Sequence, residues 1–169
     1  TSTASLALEY GQGAVVASNT SKFSVTGGAT VSLPASTSNF TTIQGSDGTL
    51  KNYTVITSLG AESSTTATDL QGMQGGLSTN YALGANIDAV ATSGWANKFT
   101  PVGNSVTNFT GSLDGLGNTI SNLTINTTSE YSGLFGEVSY ATIKNVNLDK
   151  VSFNSTQKYV GALAGKVAN

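Results

Sequence analysis

The side chains of this chain that could carry out acid–base catalysis are its nine carboxylates. A glycosidase needs two carboxylates facing each other about 5 to 10 Å apart across the bond that is cleaved. No two are spaced in the sequence in a way that indicates such a pair, and no arginine is present to hold a uronate. We therefore identify no catalytic residue and expect the chain not to be an enzyme. The nine are Glu9, Asp47, Glu62, Asp69, Asp88, Asp114, Glu130, Glu137 and Asp149.

The sequence gives little reason to expect a metal or cofactor site, because histidine, cysteine and arginine are all absent. Histidine is the commonest metal ligand and general base near neutral pH, and arginine is the usual bidentate clamp for phosphate. Calcium-loop patterns such as Asp-x-Asp or Gly-Gly-x-Gly-x-Asp do not occur either. Seven scattered lysines and a pI near 4.8 argue against a nucleic-acid partner. We expect no metal, no cofactor and no nucleic acid.

Exposed aromatic rings are a second kind of chemical group, because they can stack on sugars. Tyr131 and Tyr159 occupy similar places ahead of two related glycine motifs, so they are candidate glycan-stacking residues. Packing within the protein is an equally good reading for both. Trp95 and Phe99, in an irregular stretch, are expected to be packed.

Asparagine side chains offer sites of modification. The pattern Asn-x-Ser/Thr occurs seven times, a slight excess over chance in a chain with 25 Thr and 22 Ser. Exposed loops are where such acceptors are used. Asn126 and Asn154 are therefore the candidate glycosylation sites.

An eight-residue phrase indicates the elements that would hold these groups. Residues 119–126 read Thr-Ile-Ser-Asn-Leu-Thr-Ile-Asn, residues 142–149 read Thr-Ile-Lys-Asn-Val-Asn-Leu-Asp, and residues 49–56 form a looser copy. The first two copies are related by a step of 23 along the chain. Sequence repeats of about this length are typical of stacked units that share one core.

The spacing inside the phrase predicts two short strands joined by a bend. Apolar residues at places 2, 5 and 7 break the alternation of a strand at the asparagine, a residue that tolerates left-handed backbone. If one coil corresponds to one such step, Asn122 would stack over Asn145 in a side-chain ladder at the ~4.8 Å strand spacing. Asn52 would join if the register held. The phrase thus predicts a parallel β-helix of six or seven coils.

Composition agrees with an ordered all-β chain. Only 9% of residues are charged and the net charge is −2, whereas disorder favours high net charge. No apolar run is long enough to cross a membrane, so we expect no membrane insertion. Leu70, Met73 and Leu77 follow helical spacing and predict one short helix near 69–77. We divide the chain into N-terminal coils or a cap (1–60), a loop with the helix (61–80) and further coils (81–169).

Two glycine motifs point to a protein family. Gly133-Leu-Phe-Gly136 and the run from Gly161 to Gly165 are related by a step of 29, and together with the Thr-Ile-Lys-Asn-Val phrase they resemble the GLUG repeat of large bacterial surface proteins. The stretch from Asp69 to Ile125 is similar to the segment that commonly precedes such repeats. The resemblance covers roughly residues 69–167 and extends to filamentous-haemagglutinin-like adhesins exported by two-partner secretion.

The resemblance implies a right-handed parallel β-helix that forms a segment of a long, secreted or surface-tethered fibre. Such proteins attach to host cells, to other bacteria or to matrix glycans, and their export uses an outer-membrane transporter partner. No catalytic residue is implied by the repeat. The chain is expected to be a structural, adhesive segment excised from a larger protein.

Other functions remain open at this point. The main one is a carbohydrate-binding module on the same scaffold, and another is a rod that polymerises end to end through unpaired strand edges. An ice-binding surface would need Thr-x-Thr pairs that recur with the coil, and they do not recur.

Overall fold

A computed structural model describes residues 4–11, 13, 20–46, 48–125, 129–153 and 158–168. Within them the chain forms short strands and two 3-10 helices, Gln71–Gly75 and Val90–Ser93. No α-helix occurs in these ranges. The strands are β1 (Leu6–Tyr10), β2 (Ser36–Gln44), β3 (Lys51–Ile56), β4 (Asn80–Leu83), β5 (Ile87–Asp88), β6 (Ser112–Asp114), β7 (Thr119–Ser121), β8 (Thr124–Ile125), β9 (Tyr131–Ser132), β10 (Phe135–Ser139), β11 (Thr142–Lys144), β12 (Asn147–Asp149), β13 (Ser152–Phe153), β14 (Tyr159–Val160) and β15 (Ala164–Ala168).

The strands stack as successive turns of a parallel solenoid. Each strand from β6 to β10 pairs in parallel with the strand five places later in the chain, which is its counterpart one turn on. β3, β4 and β6 continue the first of these sheets in parallel, and the solenoid has about four turns. The predicted parallel β-helix is confirmed.

The length of one turn differs from the predicted step of 23. Ile120 lies opposite Leu148, a step of 28, and Ile143 lies opposite Leu113, a step of 30. Ile120 and Ile143, which the predicted step would stack, belong to different sheets. The expectation of six or seven coils was therefore wrong.

Each of the two closer copies of the repeated phrase describes two consecutive sides of a turn and the corner between them. The Thr-Ile-Ser of the first copy forms β7, and the Thr-Ile-Lys of the second copy forms β11. The strand that pairs with β7 on the next turn is β12, which follows β11 in the chain. Every side needs the same local pattern, namely a short strand with one inward apolar residue followed by a bend. Two matching phrases consequently need not be neighbours along the axis. The spacing of the glycine motifs does equal the length of one turn, since Phe135 pairs with Ala164 at a step of 29.

The interior of the solenoid holds the main hydrophobic core. Tyr81, Phe109 and Phe135 form a column of rings, with centroids 6.4 and 4.7 Å apart. Phe99 is fully buried in this core and Trp95 packs against it, as their sequence context predicts. The column and the inward aliphatic side chains of the earlier turns are buried, whereas Ile143, Leu148 and Val151 of the β11–β15 turn are partly buried. Each turn is thus stabilised by the turns packed against it.

One end of this core is covered by the loop that contains the first 3-10 helix. Leu70 and Met73 are fully buried in the core, as their spacing predicts. The Asp69 carboxylate accepts hydrogen bonds from the Thr66 hydroxyl (2.6 Å) and from the Gly72 N–H (2.6 Å). The predicted short helix is thus present, in 3-10 form. Three glycines within residues 72–76 disfavour a longer α-helix.

The N-terminal region extends the sheet that runs from β3 to β11 and also covers part of its outer face. β1 pairs in parallel with β2, and β2 pairs with β3 in antiparallel fashion. Residues 20–34, which we call the strap, run along the solenoid. Backbone N–H groups of the strap donate to Gly84, Leu116 and Asn145, on three successive turns. A second hydrophobic cluster lies beneath, around Phe40, Tyr53, Val55, Ala82 and Leu116.

No helix in the described ranges has the length and apolar character that a membrane-spanning helix requires.

Candidate functional site

A cleft of about 960 Å³ lies between the strap and the outer face of the β3–β11 sheet. Its walls are residues 20–24 of the strap, the ends of β1 and β2 and the start of β3. The outward side chains of β6 and β11 form its floor. The cleft exists because the strap bridges several turns along one edge and leaves the middle of the sheet uncovered.

A buried carboxylate lies at the floor of the cleft. Asp114 is only 1% exposed. Its Oδ1 accepts hydrogen bonds from the Leu116 N–H (3.0 Å) and the Asn145 side-chain amide (2.9 Å), and its Oδ2 lies 3.5 Å from the Lys144 ammonium. Two N–H donors therefore hold Oδ1 in place, whereas the buried Oδ2 has no hydrogen-bond partner and is balanced by the Lys144 charge.

Lysines from three parts of the chain converge on the cleft: Lys22, Lys51 and Lys144. The Lys144 ammonium sits 3.4 Å from the centroid of the Phe23 ring, a cation–π contact with the strap. Burial lowers the pKa of Lys144, although Asp114 opposes that effect. Burial also lowers the pKa of Lys51, and the neighbouring Lys144 lowers it further. The cleft thus concentrates positive charge that is partly removed from water.

The candidate glycan-stacking residues Tyr131 and Tyr159 stack on each other. They are register partners on consecutive turns, with ring centroids 5.2 Å apart. The Lys166 ammonium lies 5.0 Å from the Tyr131 ring and 3.1 Å from the Glu137 carboxylate. Tyr131 is therefore flanked by a ring and a cation, and a sugar could reach Tyr159, which is 38% exposed, more readily.

Asn122 and Asn145 both have left-handed backbone, with φ of 58° and 53°. They do not form the predicted ladder. The Asn122 N–H donates to the Asp149 carbonyl, so the residue that corresponds to Asn122 on the next turn is Lys150. The Asn145 carbonyl accepts a hydrogen bond from the Gly117 N–H, so Asn145 is next to a different part of the preceding turn. The two asparagines occupy different corners of the solenoid, because the phrase marks sides rather than turns.

Each of these corner asparagines instead bonds to an aspartate of the preceding turn. The Asn122 side-chain amide donates to the Asp88 carboxylate (2.9 Å), as the Asn145 amide does to Asp114. Asn52 was wrongly predicted to be a corner, since it lies within β3 opposite Thr41 of β2.

Four carboxylates accept hydrogen bonds from backbone N–H groups, whereas Glu137 and Asp149 contact lysine side chains. Glu62 accepts from the N–H groups of Ala96 and Asn97, and Asp88 accepts from the Val90 N–H. Asp69 and Asp114 do likewise, at Gly72 and Leu116. In the described ranges no three acidic side chains converge in a way that could hold a metal ion.

Sequence reasoning did not find the cleft. Lys51, Lys144 and Asp114 come from three separate turns, so no local motif joins them. The step of 29 between the glycine motifs was the available signal, since it brings the neighbourhoods of Asp114 and Lys144 together. The candidate glycosylation sites Asn126 and Asn154 lie outside the described residues.

One comparison matches the chain to a small part of a long protein. Halomucin of Haloquadratum walsbyi is 43% identical to it over 95 residues. That match covers 51% of this chain and 1% of halomucin, so the chain spans a very small part of the relative's length. No solved structure matches the chain.

A family match covers the solenoid from its capping loop onward. The family described as "M26 IgA1-specific Metallo-endopeptidase N-terminal region" matches residues 64–169, which is more than half of the chain. The chain therefore belongs to the family of M26 IgA1-specific metallo-endopeptidase N-terminal regions.

Proposed function

We propose that this chain is a structural rod segment of a large secreted or cell-surface protein, and that the whole protein attaches a bacterium to cells or matrix. The observation that carries the proposal is the stacking of turns around one continuous core, with backbone pairing along the axis. Such an arrangement lengthens by adding turns and resists bending because every turn is packed against its neighbours.

The comparisons are compatible with a rod of this kind. A match of 1% of halomucin's length fits a module within a very long protein, and the word mucin in its name fits a surface location. The adhesive role, the GLUG assignment and the transporter partner rest on the sequence resemblance to filamentous-haemagglutinin-like adhesins.

We propose further that this segment has no catalytic role. The family description names a metallo-endopeptidase and places the matched part in its N-terminal region. The donor set here does not fit a catalytic metal, because the chain has no histidine or cysteine and the described carboxylates form no cluster. No reaction step is derived for it.

Attachment can be tested with beads coated with the purified chain. Coated beads should adhere to cells or to extracellular matrix, and soluble folded chain should compete with them in proportion to its concentration. Beads coated with heat-unfolded chain are the control. Equal adhesion of folded and unfolded coatings, or none of either, would refute the adhesive role.

Carbohydrate binding on the same scaffold is the second candidate. It is favoured at Tyr159 by an exposed ring with the Lys158 ammonium 5.2 Å from its centroid. A glycan array probed with the purified chain should show reproducible binding that Tyr159→Ala abolishes. Binding that survives this substitution would exclude Tyr159 as the site.

A further inference from the structure

The cleft beneath the strap is unusually cationic for this protein. The whole chain has seven lysines and a net charge of −2. Three of those lysines, Lys22, Lys51 and Lys144, line this one cleft, and Asp114 is the sole carboxylate among its described lining residues. An anion is the complementary ligand for such a surface.

The one carboxylate leaves much of this positive charge unneutralised. Asp114 is already engaged by Leu116, Asn145 and Lys144. No carboxylate in the described ranges lies within ion-pair distance of Lys51 or Lys22. The lowered pKa of Lys51 has burial as its first cause and the Lys144 charge as its second, and Asp114 offsets them in part. The negative charge of a bound anion would favour the protonated ammonium and so oppose the lowering.

The remaining walls suit a saccharide better than a small inorganic ion. The half-buried Tyr10 ring offers apolar surface, and the exposed Thr142 side chain offers a hydroxyl. Tyr53, Thr42 and Ser112 belong to the same lining and are buried. Pockets of about 300–1,000 Å³ accommodate drug-sized ligands, so the cleft can hold one or two sugar rings. Positive charge next to an aromatic ring and a hydroxyl is what a sugar with an acidic substituent requires.

We propose that this cleft binds an acidic saccharide, a sugar that carries carboxylate or sulfate groups, with Lys51 and Lys22 contacting the acidic group. The inference deepens the proposed attachment role, on which it rests for its biological meaning, by naming the class of receptor. It involves a surface separate from Tyr131 and Tyr159.

Titration calorimetry of the purified chain tests the proposal. The probes are a galacturonate tetrasaccharide, a sulfated heparin-derived tetrasaccharide and a neutral mannose tetrasaccharide, measured at about 20 mM and about 500 mM NaCl. At least one acidic probe should bind at low salt and weaken tenfold or more at high salt, whereas the neutral probe should not bind. The two acidic probes distinguish carboxylate from sulfate as the recognised group.

Matched variants locate the site. Lys51→Gln should weaken binding of the acidic probe by about tenfold or more, the loss of one desolvated ionic contact. Lys150→Gln changes the net charge equally but lies outside the cleft, so its affinity should stay within about twofold of the native chain. Circular dichroism and thermal unfolding confirm that both variants fold.

Three results would overturn the inference. One is binding of the neutral probe as tightly as the acidic ones, and another is an equal loss of affinity in Lys51→Gln and Lys150→Gln. The third is tighter binding of a single-stranded oligonucleotide than of either acidic sugar, which would make the cleft a polyphosphate site. Bead adhesion without saccharide binding would reject this inference and leave the attachment role intact.

Discussion

Two turns of the solenoid carry nearly the same side-chain pattern and differ in burial. In the turn built from β6 to β10, which we call the middle turn, Ile120 and Leu123 are fully buried. In the turn built from β11 to β15, the register partner Leu148 and the corresponding Val151 are only half-buried. β7 is paired on both sides, with β5 and β12, while β12 is paired with β7 alone. Burial in this fold therefore comes from the neighbouring turns, and the phrase only directs a side chain inward.

The opposite end of the core shows a second way of achieving burial. There the capping loop inserts Leu70 and Met73 into the core, so that the first parallel turn is covered without a further turn beneath it. The comparison of the middle turn with the β11–β15 turn leads to a set of substitutions at matched positions, whose effects should follow the number of packed neighbours.

The largest difference is expected for inward aliphatic side chains. Leu123→Ala should lower the free energy of unfolding by about 2–5 kcal/mol, because it leaves a cavity in a filled core. Val151→Ala, in the half-buried turn, should cost about 1 kcal/mol or less. Urea unfolding followed by circular dichroism measures both, and equal costs would refute the difference between the turns.

A smaller difference is expected for outward carboxylates. Asp114→Ala removes the acceptor of two hydrogen bonds and the ion-pair partner of Lys144, and should cost about 1–3 kcal/mol. Asp149→Ala, at an exposed position 4.0 Å from Lys150, should change stability by less than about 0.5 kcal/mol. Thermal unfolding of the two variants side by side shows which of them loses more stability. A greater loss of stability in Asp149→Ala would contradict this prediction.

Glycine substitution should have different effects on stability at the two matching corners. Lys150 has a φ of 51°, a left-handed conformation in which a lysine is strained. Lys150→Gly should therefore stabilise the chain by about 0.5–1 kcal/mol. Asn122→Gly, at the matching corner of the middle turn, also loses the hydrogen bond to Asp88 and should give no such gain. Denaturant midpoints of the two variants measure these changes in stability. Stabilisation by both substitutions would show that the Asn122–Asp88 hydrogen bond contributes nothing to stability.

The smallest effect concerns the titration of Asp88. The Asn122 amide, and then the Val90 N–H, hold the pKa of Asp88 below its usual value. Asn122→Ala should raise this pKa toward the ordinary value near 4, as read from the carboxyl carbon shift by NMR. Because the folded-state pKa is depressed, the associated stability is present above the unfolded-state pKa and is lost as the pH falls through the folded one. An unchanged pKa in the variant would show that Asn122 is not its cause.

The sequence allowed the solenoid to be predicted and left its period ambiguous. Parallel stacking followed from short apolar alternation interrupted by Asn122 and Asn145, which is a local property. The turn length depends on how much chain lies between equivalent sides, and the repeated phrase carries no information on this. The spacing of the glycine motifs did carry it, since Phe135 and Ala164 are neighbours across one turn.

The cleft was beyond sequence reasoning for a different reason. It needs the strap, whose residues 20–34 have no repeat pattern and contact side chains that are remote in the sequence. The Val25 N–H donates to the Asn145 side chain, and the Asn118 side-chain amide donates to the Val31 carbonyl. Long-range packing of an irregular segment is decided by the shape of the finished solenoid.

The register between turns, on which the account depends, can be tested with paired cysteines, since the chain has none of its own. Register partners in adjacent strands lie about 4.8 Å apart, within the range that a disulfide spans. Ser121→Cys with Asp149→Cys, which are partners in β7 and β12, should oxidise to an intramolecular disulfide. Ser121→Cys with Lys144→Cys, which are equivalent places in the two copies of the phrase, should not; a disulfide in this second pair and none in the first would contradict the stacking described here.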